Sequence, residues 1–398
     1  MSAEPRSPRA PLSKVVLRLG WVSLLTDVAG DLVTTLLPFF LVGTLGASFG
    51  FVGVIDGAAE SLSSVLKIVS GRLGDGRVPK KRLVLVGYAV AALSRPLIAI
   101  AASPVAVLLI RLTDRFGKGI RTAPRDAWIA DATAPEDRGR AYGIHRAMDN
   151  AGAFLGPVLG LFLYRGLGIP LAWVFASTIV PGLLAVALAW SAPEAPPSAP
   201  AVETGDAGGA APSLPGALRA YLAVVLVFTL ATSSDAFILL LGRSLGLDDG
   251  IVLGTWIGFA GLRTLVTAPG SALGDRIGRR TSLFVGWALY AAVYVAFSFV
   301  ATWWHWALAL TAYAGFYALT EGAERALVAE LAPKSARGAA FGWFHGIVGI
   351  AALPASWGFG VVADGLGMPM AFRIDAGLAL AAALMLAVVS RGVPRAAT

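Results

Sequence analysis

Charged and polar side chains recur at helical spacing in the stretch RLTDRFGKGIRTAPRDAWIAD, which begins at Arg111. They follow one another at intervals of three and four residues, so a helix would place them on one face. The members of this stripe are Arg111, Asp114, Arg115, Lys118, Arg121, Thr122 and Arg125. Inside a membrane each such charge costs about 2.5–3.5 kcal/mol unless it meets a partner or water. We therefore expect this face to meet charged partners or water and to be functional; a solvated helix end is the alternative for Arg121 to Asp126 but not for Arg111 to Arg115.

Four carboxyl groups on neighbouring apolar segments fall at the same depth as the start of this stripe. At a rise of ~1.5 Å per residue, Asp27 and Asp31 lie roughly 15 and 20 Å from one end of their segment. Asp56 and Glu60 lie roughly 10 and 16 Å from the opposite surface, and Arg95 falls at the same level. A carboxylate binds protons more tightly when it is desolvated and less tightly beside a cation. We therefore predict proton coupling, against the alternative of a static ion-pair network, at Asp27, Asp31, Glu60, Arg111, Asp114 and Arg115.

The second half of the chain has fewer charges in its apolar segments and more tryptophan. Polar groups facing a mostly apolar pocket are typical of a small-molecule site, although ordinary packing is the favoured interpretation for each single tryptophan. The residues that we expect to line such a cavity are Asp56, Arg95, Asp235, Trp256, Arg263, Glu321, Trp343 and Trp357.

The elements that would carry these residues are membrane spans. The chain of 398 residues is 57% hydrophobic and 14% charged, whereas a soluble domain carries about 25% charge. Its apolar runs are continuous and roughly twenty residues long, which predicts transmembrane helices and not the alternation of a β-barrel. The twelve predicted spans are 18–42, 49–70, 82–102, 103–124, 143–165, 169–190, 219–242, 250–270, 281–300, 303–327, 339–363 and 369–390.

The distribution of basic residues predicts the orientation of the spans. Lys and Arg cluster in the N-terminal segment and in alternate loops, while the other side has Arg165 and Arg243. Because basic loops stay inside, the tails 1–17 and 391–398 are expected in the cytoplasm of a bacterial-type cell membrane, with no cleavable signal peptide. The same bias explains the net charge of +8, so we expect lipid and no nucleic acid as the anionic partner.

A repeat divides the chain into two domains. The segment 191–217 is rich in Pro, Ala and Gly and is predicted to be a flexible cytoplasmic linker between six-helix bundles at 18–190 and 218–390. GRLGDGRVPKKR, after the second span, is echoed about two hundred residues later by SALGDRIGRR. Two parallel repeats that enclose a site at the membrane midplane are the layout of a rocking transporter.

These two turns resemble the signature loop of the major facilitator superfamily, Gly-x-Leu-x-Asp-Arg-x-Gly-Arg-Arg, and the resemblance covers essentially the whole chain. The first copy departs from the pattern at Gly76 and Pro79. The resemblance implies an all-α fold of twelve helices in two pseudo-symmetric halves and a cytoplasmic charge latch; a positive anchor turn is the alternative. The latch residues would be Gly71, Asp75, Arg77, Lys80, Gly274, Asp275, Arg276, Arg279 and Arg280.

Two further stretches resemble motifs of the same superfamily. Arg111 stands where many proton-coupled members carry an arginine, although Asp114 and Arg115 replace the usual Gln-Gly. GAFLGPVLG in the fifth span resembles the motif of antiporters. There we expect Gly156 and Pro157 to face the other half and to seal the exit path, with close packing and a proline kink as the alternative. The motif residues are Gly152, Gly156, Pro157 and Gly160.

Other chemistries have little support in the sequence. Cysteine is absent, and no His-Glu-x-x-His, Gly-x-Ser-x-Gly or Walker loop occurs. We therefore expect no catalytic residues, no bound metal and no cofactor. The sequence predicts a monomeric secondary transporter that exports a small organic molecule in exchange for protons. A symporter or anion exchanger of the same fold, and a sensor or membrane-embedded enzyme without transport, remain as alternatives.

Overall fold

The computed structural model of the protein describes residues 13–74, 78–134, 137–194, 214–333 and 337–391. Within these ranges the chain is almost entirely helical, and no strand is found. A 3₁₀ helix (Arg95–Ile100) extends the helix that ends at Ser94, and a π-helical turn (Phe162–Gly166) extends the helix that ends at Leu161. The α-helices are α1 (Lys14–Gly43), α2 (Phe49–Gly74), α3 (Lys80–Ser94), α4 (Pro104–Asp131), α5 (Arg138–Leu161), α6 (Leu171–Ser177), α7 (Ile179–Ser191), α8 (Gly216–Leu230), α9 (Ala236–Ser244), α10 (Asp249–Ile277), α11 (Arg279–Phe297), α12 (Trp303–Leu331), α13 (Arg337–Leu366) and α14 (Met368–Arg391).

These helices form the twelve spans that the sequence predicts, because α6 with α7 and α8 with α9 each make one span. In the described part of the chain, eight helical segments are long and apolar enough to cross a membrane by length and composition alone. Two of the remaining spans, α4 and α12, carry charged residues in their middle turns. The predicted all-α fold in two halves is confirmed.

The first and last described helices define the two ends of the helix bundle. The first described helix begins, and α14 ends, at one end, which we call the terminus end; the opposite end is the far end. Of the predicted linker, residues 195–213 lie outside the described residues, as do 1–12 and 392–398 of the predicted tails. The domain bounds and the cytoplasmic position of the termini therefore stay predictions.

The two halves pack closely along α2 and α13. A Cβ atom at Gly57 would lie 2.6 Å from the Cα atom of Leu353, so only glycine fits at this crossing. Near the terminus end the contact continues, because a Cβ atom at Gly346 would lie 3.8 Å from Cδ1 of Ile68. This seam joins the halves on one side and leaves a cavity between their remaining helices.

The seventh span is broken, and the prediction of one continuous helix over 219–242 is wrong. Residues 231–235, with the sequence ATSSD, separate α8 from α9. Serine and aspartate side chains compete with the backbone for hydrogen bonds and so disfavour helix interiors. Here the Ser234 hydroxyl accepts a hydrogen bond from the Ala236 amide at 3.2 Å. The break places three consecutive polar residues, Ser233 to Asp235, at mid-span.

Candidate functional site: a charged cavity between the halves

A central cavity lies between the two halves in two adjoining lobes of about 670 and 840 Å³. Asp56 on α2 and Asp235 before α9 line both lobes, so each half contributes a carboxyl group to the shared space. A volume of this order accommodates a small organic molecule.

The far end of the cavity is closed by polar contacts that cross between the halves. Asp364 on α13 accepts hydrogen bonds from the backbone amides of Phe49 at 2.8 Å and Gly50 at 2.7 Å, at the start of α2. The Tyr164 hydroxyl donates to Asp249 at 2.9 Å. Beside it lies a further cross-half ion pair, Arg165 with Asp248.

Toward the terminus end the cavity is open. Arg146 on α5 and Arg325 on α12 line both lobes, and both residues are exposed. At ~1.5 Å per residue they lie roughly 12 and 9 Å from the terminus ends of their helices. The structure is therefore that of a transporter-like cleft closed at one end and accessible from the other.

Most of the predicted proton-coupling residues lie together on the wall formed by the N-terminal half. Asp31, Glu60, Arg111 and Arg115 line the cavity, as does Lys118 from the charged stripe of α4. Within the described residues, no group of three or more carboxylate or histidine side chains is arranged to hold a metal ion. The wall therefore carries both carboxylate and cationic side chains, and the described part of the chain has no metal cluster there.

Three predicted residues, Arg95, Asp114 and Asp27, lie behind this wall and do not line it. Arg95 donates to Asp114 at 2.8 Å and to the Thr26 carbonyl at 2.7 Å, and both charged residues are buried. The interpretation of Arg95 as a cavity residue is therefore wrong, because Asp114 draws its guanidinium into the helix bundle. Asp27 is half-buried against α5, where a Cβ atom at Gly152 would lie 3.0 Å from its Cβ.

Arg111 connects the buried pair to the cavity. Only 1% of its surface is exposed, yet it contributes to the cavity lining. One guanidinium nitrogen lies 3.6 Å from Asp114, and another donates to the Thr34 hydroxyl at 3.4 Å. Its Nε and Nη1 atoms, and Nε of Arg115, are buried without a hydrogen-bond partner. These cationic donors therefore have hydrogen-bonding capacity that no group in the described residues satisfies.

The wall of the C-terminal half holds a second charged group. Asp235, Trp256, Arg263 and Glu321 line the cavity where the sequence predicts them. Arg263 lies 3.8 Å from Glu321 and stacks 3.5 Å above the ring centre of Tyr317. Ion pairing and cation–π stacking hold this guanidinium at the wall.

Sequence reasoning missed the aromatic character of this wall. Phe259 stacks on Tyr313 at 5.5 Å between ring centres, and the Tyr313 hydroxyl donates to Asp235 at 3.1 Å. Phe316 and Tyr317 continue the surface on α12. The signal was the spacing of three and four residues between Tyr313, Phe316 and Tyr317, which puts three rings near one helix face.

Two predicted cavity tryptophans lie elsewhere. Trp343 and Trp357 on α13 are 60% and 52% exposed and are not among the residues that line the central cavity. Their assignment to the cavity is wrong. Large apolar side chains are favourable on the perimeter of a membrane protein, where lipid and not water surrounds them.

The glycines of α5 face α1 of their own half. A Cβ atom at Gly156 would lie 2.6 Å from the Val28 carbonyl and 2.9 Å from the Leu32 amide. Gly152 and Gly160 contact the same helix. The expectation that Gly156 faces the other half is therefore wrong; Pro157, one residue on, does line the cavity.

The predicted latch is described only in part. Asp75 and Arg77 lie outside the described residues, and Gly71 is in the last turn of α2. Lys80 at the start of α3 pairs with Asp131 of its own half at 2.5 Å. In the second copy, a Cβ atom at Gly274 would lie 2.7 Å from Ser282 Oγ on α11.

The charged residues of that second copy make contacts within the C-terminal half. Arg279 and Arg280 reach Glu330 at 3.0 and 3.7 Å, while Asp275 and Arg276 are exposed. These contacts fit a terminus end that is open. A latch that joins the halves in another state stays a prediction.

Comparison with known proteins identifies the family to which this architecture belongs. The sequence profile of the Major Facilitator Superfamily matches residues 19–269 and 257–398. An uncharacterized MFS-type transporter of Methanocaldococcus jannaschii is 29% identical over 351 residues, covering 87% of each chain. Multidrug resistance protein MdtH of Proteus mirabilis is 30% identical over 172 residues, 41% of this chain and 42% of that protein.

Solved structures agree on the fold. A variant of the nucleoside transporter NupG superposes with a TM-score of 0.80 at 13% identity, covering 94% of this chain and 100% of the other. The D-xylose-proton symporter gives a TM-score of 0.73 at 17% identity, covering 94% and 96%. With the profile spanning nearly all of the sequence and the twelve spans folded in the same way, the chain belongs to the major facilitator superfamily of membrane transporters.

Proposed function

We propose that this transporter exports a small organic molecule in exchange for protons by alternating access. The observation that carries the proposal is the position of Asp31. Its half-buried side chain lines the cavity on α1, and it interacts electrostatically with Lys118 and Arg115. A carboxyl group in such a place changes its proton affinity when the cavity closes or when a cation moves toward it.

The direction of transport follows from two lines of support. The charge bias predicts that the terminus end faces the cytoplasm, so the open cleft would take up its substrate from inside the cell. The MdtH relatives are named for multidrug resistance, which is consistent with export. The sequence match to these MdtH relatives covers less than half of the chain.

The two walls of the cavity suggest what the substrate looks like. One wall presents charged groups on α1, α2 and α4, and the other presents the rings of Phe259, Tyr313 and Tyr317. A molecule with a planar ring and one charged group would contact both walls. Stacking would hold the ring, and the charged group would pair with the opposite wall.

A second candidate, exchange of an anionic substrate, is favoured by one specific observation. The buried Nε and Nη1 atoms of Arg111 and Nε of Arg115 have no hydrogen-bond partner. A carboxylate or phosphate group could accept hydrogen bonds from both side chains, and arginine is well suited to such contacts.

Proteoliposomes that contain a pH-sensitive dye distinguish the two candidates. A gradient of ethidium, a planar cation, is applied in one arm, and a gradient of benzenesulfonate, a permanent planar anion, in the other. Proton counterflow with ethidium supports the antiport proposal. Movement of benzenesulfonate without a pH change supports anion exchange, and a protein that moves neither these probes nor compounds that stabilise it in a thermal-shift screen contradicts both.

Variants of α1 test the proton carrier. We expect Asp31→Asn to abolish proton-driven flux while substrate counterflow persists, because the amide keeps the shape of the side chain and cannot titrate. Asp27→Asn is the matched control, since Asp27 lies one turn away and does not line the cavity. Full proton coupling in both variants would move the carrier elsewhere, with Glu60 the next candidate.

A further inference from the structure

We propose that Asp375 on α14 is a second proton-binding site, placed behind the cavity wall of the C-terminal half and reached through Ser233. This second site goes beyond the function proposed above, in which the proton binds at Asp31 of the other half. Asp375 lies seven residues into α14, roughly 10 Å along the helix from its far end. Neither its burial nor its surroundings follow from its apolar sequence context.

Asp375 is a buried acid without a counter-charge. Its residue is 4% exposed, and its Oδ2 atom has no hydrogen-bond partner. A buried carboxylate that is not paired is strongly unfavourable, by several kcal/mol. Such a group in a native protein requires an explanation, and a bound proton removes the unpaired charge.

The polar groups that interact with Asp375 carry hydroxyls. Tyr290 and Tyr294 on α11 interact with it electrostatically, and Ser233, in the break between α8 and α9, interacts with it through its side chain. Arg373, on the same helix, turns away: it donates to Ser298 at 3.2 Å. From α13, the ring of Phe359 packs against Phe372 of α14. In the described part of the chain no charged side chain contributes an electrostatic interaction to Asp375.

A path of hydroxyl groups connects this acid to the central cavity. Ser233 and Tyr290 both line the cavity, and the Ser233 hydroxyl lies 3.4 Å from the hydroxyl of Tyr294. A hydroxyl both donates and accepts hydrogen bonds, so it can pass a proton between the cavity and a buried acid. Proton exchange at Asp375 therefore needs no opening of the helix bundle.

The break at 231–235 links this acid to the opposite half. Ser233 interacts with Asp375. Ser234, the residue after it, donates a hydrogen bond to Asp56 of the N-terminal half at 2.7 Å, and Asp235 accepts one from Tyr313. Three consecutive residues thus contact three different polar groups on three helices. A proton on Asp375 changes the hydrogen bond of Ser233, and through this segment it biases the Ser234–Asp56 contact between the halves.

Infrared spectroscopy of the purified full-length protein tests the site directly, since a protonated carboxylic acid has a carbonyl band distinct from that of a carboxylate. We expect one acid band, present at neutral pH, to be lost in Asp375→Asn and retained in Asp31→Asn. Ser233→Ala leaves the acid in place and should keep the band but slow its exchange in heavy water several-fold.

Four results decide the proposal. Loss of the band in Asp375→Asn together with slower exchange in Ser233→Ala supports it. A spectrum unchanged by Asp375→Asn overturns it, and so does loss of the wild-type band on adding sodium, which would identify a sodium site. If Asp375→Asn does not fold, Asp375→Glu should shift the band, and an unshifted band overturns the proposal. Loss of proton-driven flux in Asp31→Asn concerns only the function proposed above.

Discussion

The buried pair of Arg95 and Asp114 gives the sharpest prediction, because sequence reasoning assigned Asp114 to proton coupling and the structure gives it a fixed partner. We expect Asp114→Asn to destabilise the N-terminal half. Asp114 is 2% and Arg95 4% exposed, and the two lie 2.8 Å apart. Arg111 is 3.6 Å from the same carboxylate. The single carboxylate of Asp114 therefore pairs with two buried arginines.

The size of the effect follows from this arrangement. Removing one partner of a buried ion pair costs about 3–5 kcal/mol, because the remaining charge stays buried without compensation. Here two arginines would be left, which places the variant near the upper end of that range. At roughly 2 °C per kcal/mol for a large chain, the midpoint of thermal unfolding should fall by about 8–10 °C.

Thermal unfolding of the purified variant in detergent measures this effect, with Glu330→Gln as the matched control. Glu330 also pairs with two arginines, but its pair with Arg279 is 42% and 28% exposed, so the control should lose at most about 1 kcal/mol. Removing the charges of the closer pair, as in Arg95→Met with Asp114→Leu, should recover the part of the loss that comes from Arg95, while Arg111 still lacks its carboxylate. A single Asp114→Asn variant as stable as the parent refutes the structural role and returns Asp114 to the candidates for proton transfer.

Two further predictions concern packing and gating. Gly156→Ala should destabilise the protein by about 1–3 kcal/mol in thermal unfolding, because its Cβ atom would lie 2.6 Å from a backbone carbonyl of α1. Gly143→Ala, with nothing within 4 Å of its Cβ, should be neutral or stabilising, and equal effects would contradict this reading. Asp364→Asn should weaken the far-end seal and raise the labelling of a cysteine at the buried Val52 about tenfold, since each charged hydrogen bond contributes about 1.5–3 kcal/mol. Unchanged labelling, or an equal rise in Glu330→Gln, would show that these bonds do not hold the far end closed.

Span positions were predictable because hydrocarbon thickness fixes the length of an apolar run. The first span, predicted at 18–42, is α1 at Lys14–Gly43, and the eleventh, at 339–363, is α13 at Arg337–Leu366. The same reasoning placed Asp31 and Arg111 at a common depth, and the cavity brings them to one wall. Depth along a helix axis follows from residue counting alone.

The direction in which a residue faces did not follow from counting. Trp357 and Trp256 have similar apolar surroundings in sequence, yet one faces outward and the other faces the cavity. In a membrane both environments accept an aromatic ring, so hydrophobicity does not set the rotation of the helix. Gly156 was misassigned for the same reason, since a small residue permits close approach to any neighbouring helix.

Burial separates the charges of α4 into two roles that their spacing alone did not distinguish. Asp114 holds Arg95 through a short hydrogen bond, and Arg111 reaches the same carboxylate only at 3.6 Å with two nitrogens unsatisfied. A cation that is partly engaged can exchange partners at low cost, whereas a fully paired one cannot. At the same wall, a cationic substrate would compete with a proton for the Asp31 carboxylate. Such competition is a sufficient physical basis for exchange, because the carboxylate binds either the proton or the cationic substrate and not both at once.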